Sequence, residues 1–327
     1  MYASSWLKVH APEHFYAAIL ASQPMGFYSP ATLVQDARRH GVRVVGPSVN
    51  DSLVDASVQR VHDDEVGESY NPGRPEPLPS RGTVALDVDR ELAVRIGLSQ
   101  VRGLGAVAER IVEARHQGAF TSQADLARRA HVSASAMEKL AMAGALECLG
   151  VGRREGAWAA GALAQPQARA GQWQPFLPGT EVGARVPELP SLSEVERMRS
   201  DVTSTGLTPG RHPFSYVRGS LPACVLRAGE LGQHMAGRIV DIAGVVTHRQ
   251  RPHTGGGTTF LSLEDETGFV NVSVSVGAWK KFRRVCLESN ALLVRGTLEW
   301  GDGAINVQAF QIAPVALPID VRSRDFR

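Results

Sequence analysis

Between Gly237 and Ala313 the chain alternates apolar and polar residues with a period of two, and it does so five times. GRIVDIAGVVTH, TTFLSLE, FVNVSVSV, ALLVRGTLEW and AINVQAFQI each place their apolar residues on one face of an extended strand. GAWKKFRRVCLES stands between the third and fourth of these segments and reads as a helix. Few folds accept strand, strand, strand, helix, strand, strand in that order.

The order is that of the five-stranded OB barrel, whose open face often binds single strands. In such a barrel the loop joining the first two strands often contacts nucleic acid. HRQRPHTGGGTTF falls in that place. His248, Arg249, Arg251 and His253 are therefore candidates for a binding arm. Gly255 to Gly257 form a flexible tip that can approach a backbone closely. Phe260 is a candidate for base stacking, a contact of about 1–3 kcal/mol. On the following helix Lys280, Lys281 and Arg283 are read as DNA-facing, and Trp279 as core. The competing reading is a solvated hairpin whose cations touch nothing. LEDET reads as a hairpin turn rather than a metal site, because carboxylates at consecutive positions point different ways.

The upstream part is helical. Pro12 to Ala21 reads as a helix with Pro in its first turn and Phe15, Ala18 and Ile19 on one face. A second helix follows Ser29 as N-cap and stops at Gly41. VRVVGP after it is a short strand, and Ala93 to Ile96 another candidate. From Leu98 to Gly150 the pattern is helical throughout. Its sharpest motif is VRGLGAVAERIVEAR, Val101 to Arg115. Gly103 and Gly105 permit φ > 0, so the backbone can fold tightly between two helices. Leu104, Val107, Ala108 and Ile111 line the second helix at i, i+3, i+4 and i+7. Free N–H groups at that helix start can face a phosphate. This is the layout of a helix-hairpin-helix motif, which grips DNA backbone without reading bases. Arg102, Gly103 and Gly105 are the candidate contacts, and a glycine turn without a ligand is the bland alternative. The companion pair, LARRA and SASAMEKLAMAGAL with Gly144, is expected to pack only.

Composition excludes several classes. At 43% hydrophobic over 327 residues, two or three domains can bury real cores. A net charge of +2 announces no global affinity for nucleic acid, so any such site is a local patch. Cys148, Cys224 and Cys286 never pair as CxxC, which fits a reducing cytoplasm rather than a zinc or disulfide framework. No apolar run approaches the roughly 18 residues of a membrane span, and MYASSWLKVHAPEHF has no signal-peptide core. No P-loop, GxSxG or HExxH occurs. Asp87-Val88-Asp89 has D-x-D spacing but no matching third carboxylate, so no catalytic or metal residue is assigned.

Taken together these stretches resemble the downstream part of bacterial C-family replicative DNA polymerases, the DNA polymerase III alpha type, and within them the error-prone, damage-associated branch. SSWLKVHAPEHFYAAILASQPMGFYSP resembles the family's distal fingers. VRGLGAVAERIVEAR with AMEKLAMAGAL resembles its tandem helix-hairpin-helix region. TGLTPGRHP resembles the approach to its OB domain, and HRQRP with LEDETG that domain itself. The resemblance implies an α+β multidomain chain: a helical fingers remnant and a tandem helix-hairpin-helix region, then a five-stranded OB barrel. The expected segments are 1–62 distal fingers, 63–92 linker with a short strand, 93–150 the hairpin region, 151–192 a flexible linker, 193–236 a connecting segment, 237–314 the OB domain and 315–327 a tail.

Family members carry PHP and palm domains upstream, and nothing in this sequence corresponds to them. The resemblance therefore implies DNA binding in damage-induced translesion synthesis and repair, without catalysis by this chain alone. It implies no cofactor here, with Mg²⁺ expected for the complete polymerase. The implied partners are DNA, an upstream polymerase half and error-prone polymerase accessory proteins, in the cytoplasm on the nucleoid. QWQPFL, Gln172 to Leu177, lacks the apolar residue of a clamp-binding pentapeptide, so direct sliding-clamp binding is not expected. A stand-alone single-strand-binding protein and a non-functional gene remnant are the competing readings.

Overall fold

The structure, a computed structural model, describes residues 2–25, 28–61, 86–89, 91–163, 189–252, 256–301, 304–319 and 324–326. The chain divides into two compact units, one extending to Gly210 and one beginning at Arg211.

The first unit opens with α1 (Tyr2–His10), α2 (Pro12–Ala21) and α3 (Pro30–Arg39). Ser29 caps α3 as its sequence requires, its hydroxyl accepting from the Thr32 amide at 3.2 Å. The buried face of α2 differs from the expected one. Glu13, Tyr16, Ala17 and Leu20 turn inward, Phe15 and Ile19 are half-buried, and Ala18 is exposed. Polar partners decide this. The Tyr16 hydroxyl donates to Asp36 Oδ2 at 2.7 Å, and Glu13 Oε1 accepts from the Asp89 amide at 2.9 Å. Strands β1 (Arg43–Val45), β2 (Ser57–Arg60) and β3 (Leu92–Arg95) form a small sheet in the order β1-β3-β2.

Four helices follow: α4 (Val107–Arg115), α5 (Gln123–Arg129), α6 (Ala134–Met142) and α7 (Arg153–Leu163). Helix α7 corrects the expectation of a flexible linker over 151–192. Its Ala and Gly residues are there for close packing: a Cβ on Gly156 would stand 2.9 Å from that of Ala141, and Ala159 and Ala160 are buried. Arg153 anchors the helix, its guanidinium bonded to Asp201 at 2.8 Å and Glu147 at 3.0 Å. Residues 164–188, which include Gln172–Leu177, lie outside the described residues, as does the proline-rich stretch 63–83. Helix α8 (Glu194–Thr205) begins with a capping box of Ser193 and Glu196. One hydrophobic cluster spans the expected segment boundaries, joining Val49 to Leu104, Ile111, Met137, Leu140 and Ala160.

The second unit carries α9 (Ser215–Arg218) and β4 (Val225–Leu226), then the expected alternation: β5 (Ile239–Gln250), β6 (Thr259–Glu264), β7 (Phe269–Val274), α10 (Val276–Glu288), β8 (Ala291–Gly301) and β9 (Ala304–Pro314). Strands pair β5-β6-β7-β9-β8, and β8 returns to β5, closing a five-stranded barrel. Val246, Leu261, Val272, Val294, Leu298 and Val307 fill it, with Trp279 of α10 in the same cluster. The acidic turn is a hairpin. Asp265 Oδ1 accepts from the Thr267 amide, the Thr267 hydroxyl and the Gly268 amide at 2.7, 2.7 and 3.0 Å. The tail is not wholly irregular, because β10 (Arg324–Phe326) runs parallel to His248–Gln250 of β5.

Candidate nucleic-acid interface

The first candidate surface is the turn from the 3-10 segment Leu98–Gln100 into α4. Val101, Leu104, Ala108 and Ile111 are buried and pack with Met137 and Leu140 of α6. These anchors force a reversal within a few residues. Gly103 and Gly105 make it at φ +70° and +54°, a region that costs an L side chain roughly 1–2 kcal/mol. Arg102, Gly103, Gly105 and Ala106 are exposed between the anchors. Among the described residues no acceptor is found for the amides of Gly103, Gly105 and Ala106. Such exposed donors at the positive end of a helix dipole suit an anion.

Arg102 is placed differently from the expectation that it faces DNA. Its guanidinium donates to the Thr203 carbonyl at 3.1 Å and its amide to that of Ser204 at 2.8 Å. The last carbonyls of α8 attract a cation, which explains the diversion. Arg110 and Arg115 are likewise tied to backbone carbonyls. Instead, Lys139 of α6 reaches the turn, its Nζ donating to the Gly103 carbonyl at 3.2 Å. Sequence reasoning missed Lys139, which lies 36 positions away. The companion hairpin does pack: Gly144 has φ +78°, and a Cβ there would meet the Arg153 guanidinium at 2.7 Å.

The second candidate surface is on the barrel. Phe260 is exposed on β6, as expected, and Phe269 on β7 joins it, at 39% and 42% exposure. Strand register sets Phe260 opposite Ser273, Ser262 opposite Asn271, Asn271 opposite Asn306 and Ser273 opposite Gln308. By alternation these residues share the outward face of β6, β7 and β9. Asn306 Nδ2 donates to Ser273 Oγ at 2.9 Å and to Glu299 Oε2 at 2.6 Å. The face offers two aromatic rings for stacking and a floor of amides and hydroxyls for base edges. Sequence reasoning missed Phe269, Asn271, Asn306 and Gln308. The period-two pattern held the signal, since they are the polar and aromatic residues alternating with buried Val270, Val272 and Val307.

The expected arm is divided. Arg249 is a correction: it is 7% exposed, and its guanidinium donates to the Cys286 carbonyl at 2.6 Å and the Ser289 carbonyl at 2.8 Å. It thus binds the C-terminal end of α10, where unpaired carbonyls favour a cation. His248 is half-buried, with Nδ1 3.1 Å from Thr247 Oγ1. Arg251 is exposed, and among the described residues no carboxylate pairs with it. His253 and Gly255 lie outside the described residues. Gly257 lies against α10, where an added Cβ would be 3.0 Å from Val276 Cγ2 and 4.0 Å from Arg251 Nη2. Arg251 is therefore beside the start of α10. Lys280, Lys281 and Arg283 are exposed on that helix, with Lys280 one turn beyond Val276. Cations and aromatic face meet at this end of the barrel, because Gln250, next to Arg251, pairs with Phe260.

Asp87 and Asp89 serve local structure. Asp87 Oδ2 meets His10 Nδ1 at 2.8 Å, and Asp89 Oδ1 accepts from the Glu91 amide at 2.8 Å. Among the described residues no group of three metal-ligating side chains forms, and no helix is long and apolar enough to cross a membrane.

Comparison with known proteins follows the same division. A family model described as a helix-hairpin-helix motif matches residues 41–156, and one described as an OB-fold nucleic acid binding domain matches residues 240–315. The error-prone DNA polymerase of Mycolicibacterium paratuberculosis is 43% identical over 330 residues, covering all of this chain and 27% of that protein. The one from Cutibacterium acnes is 42% identical over 349 residues, covering all of this chain and 30% of that protein. Asparaginyl-tRNA synthetase from Pyrococcus horikoshii overlaps 27% of this chain and 22% of its own at 20% identity, with a TM-score of 0.24. The chain thus spans between a quarter and a third of the length of these curated polymerases. Over its whole length it is similar to one portion of error-prone DNA polymerases, and in it a helix-hairpin-helix region precedes an OB fold.

Proposed function

We propose that this chain holds DNA for an error-prone DNA polymerase acting in damage-induced synthesis, and that it transfers no nucleotides by itself. The observation that carries the reading is the exposed turn at Gly103–Ala106, with unfilled amides at a helix start. That arrangement takes phosphate without reading sequence, as a polymerase travelling along any template requires. The barrel face supplies the complementary grip on unpaired bases, through Phe260 and Phe269 for stacking and Asn271, Asn306 and Gln308 for hydrogen bonding. Arg251, Lys280, Lys281 and Arg283 supply phosphate contacts beside it. Catalytic carboxylates and Mg²⁺ come from an upstream polymerase half, and accessory proteins complete the assembly in the cytoplasm, on the nucleoid.

Fluorescence anisotropy with a duplex and a single-stranded oligonucleotide tests this reading. Both are expected to bind, with log K falling linearly against log salt. The same preparation, given Mg²⁺, deoxynucleotides and a primer-template, is expected to add nothing to the primer. Absence of binding to either oligonucleotide, or template-directed extension by this chain alone, contradicts it.

A further inference from the structure

We propose that Lys139 is the cation of the hairpin's phosphate seat, acting with the amides of Gly103, Gly105 and Ala106 although it belongs to another helix. The inference rests on the reading that this hairpin holds DNA backbone. Amide donors orient an anion but bring only partial charge, so a seat for a full phosphate charge is stronger with a cation at its rim. In sequence that cation is Arg102, one residue before the turn. In the structure Arg102 is engaged by α8, at the Thr203 and Ser204 carbonyls, and Arg110 by the carbonyls of Ala130 and His131. The head group at the turn is the Lys139 ammonium.

Three features make Lys139 more than a passing surface lysine. Its neighbours Met137 and Leu140 are buried in the core beneath the hairpin, so the helix that carries it is fixed relative to the turn. Its Nζ donates to the Gly103 carbonyl at 3.2 Å, which uses one of three ammonium protons and leaves two for a ligand. Its position also explains the residue at 103. A Cβ on Gly103 would stand 2.7 Å from Nζ, whereas one on Gly105 would meet nothing within 4 Å. A Cβ at 103 would therefore push this flexible head group aside, and glycine leaves the ammonium at the turn.

The test uses the full chain, as Lys139→Gln, Lys139→Ala, Lys139→Arg and Arg102→Gln, each checked by circular dichroism and thermal melting. Salt titrations of anisotropy on a duplex of about 20 base pairs give the slope of log K against log salt. The wild-type slope is expected to drop by about 0.9 in Lys139→Gln and Lys139→Ala, the share of one duplex phosphate contact. Between roughly 50 and 200 mM salt that difference is an approximately 3-fold smaller loss of affinity. Lys139→Arg is expected to restore the slope, and Arg102→Gln to keep it. Folded Lys139 variants with the wild-type slope overturn the proposal and leave Lys139 as a clamp on Gly103. A wild-type chain without salt-dependent duplex binding overturns the underlying reading and this inference together. Two replacements guard against a single misfolded variant.

Discussion

Replacing Arg251 by Ala is expected to lower the salt dependence of single-strand binding, and replacing Arg249 is not, although two positions separate them. Sequence alone treats both as phosphate contacts, and their joint removal would then reduce the slope of log K against log salt by about 1.4, at about 0.7 for each. The structure halves that figure. Arg249 is committed to the Cys286 and Ser289 carbonyls, so only Arg251 remains to release ions. The double variant should lose about 0.7. Arg249→Ala should show its effect in stability. It removes charge-assisted hydrogen bonds to at least these two carbonyls, of about 1.5–3 kcal/mol each, partly offset by no longer burying a charge, for a net loss of about 2–4 kcal/mol. Thermal melting reads the second effect and anisotropy on an oligonucleotide the first. A slope reduced by 1.4 in the double variant, or by 0.7 in Arg249→Ala alone with its fold intact, refutes the assignment of these two arginines.

Phe260→Leu and Phe269→Leu should each weaken single-strand binding by about 1–3 kcal/mol without changing the salt slope, since stacking releases few ions; a changed slope contradicts this. Gly105→Val should weaken duplex binding with little sequence preference, because a branched side chain resists φ +54°; unchanged affinity in a folded variant assigns the turn to packing. Burial raises Asp36, but the Tyr16 hydroxyl and the Lys8 ammonium outweigh it and hold the carboxyl below its ordinary value. Its folded pKa lies below the unfolded value of about 3.9, so its stabilisation is complete above that pH and disappears as pH falls through the folded value. Asp36→Asn should flatten that acid limb of thermal stability, and an unchanged limb contradicts the assignment. Burial pushes the Cys286 thiol up to about 11, so an alkylating agent at neutral pH should label exposed Cys148 and Cys224 and spare Cys286; labelling of Cys286 in the folded chain contradicts that.

Backbone patterns were more legible in the sequence than side-chain destinations. The barrel strands and α10 follow from period two giving way to helical spacing, because alternation decides which residues a closed barrel can bury. The hairpin follows from two glycines where only a positive φ turns the chain. Arginine is the residue whose destination the sequence conceals: Arg102 and Arg249 read as DNA contacts, yet both are held by carbonyls. Arg102, Arg110, Arg115, Arg153 and Arg249 all donate to backbone carbonyls, because a planar guanidinium with five donors can satisfy helix and loop ends from inside. No local pattern distinguishes such an arginine from one that meets phosphate. Lys139 was missed for the converse reason: its role depends on α6 packing across the hairpin, a contact between distant positions. Helix α7 was missed because Ala and Gly favour both linkers and close helix packing, and Arg153 with Asp201 decides the matter through a pairing 48 positions long.

The most direct measurement is photo-crosslinking of the chain to a primer-template whose duplex and overhang carry iodinated pyrimidines, followed by peptide mapping. The account predicts cross-links from the overhang to Phe260 and Phe269, and from the duplex to the peptide containing Gly103–Ala106. Cross-links that avoid both peptides while the DNA remains bound would contradict it.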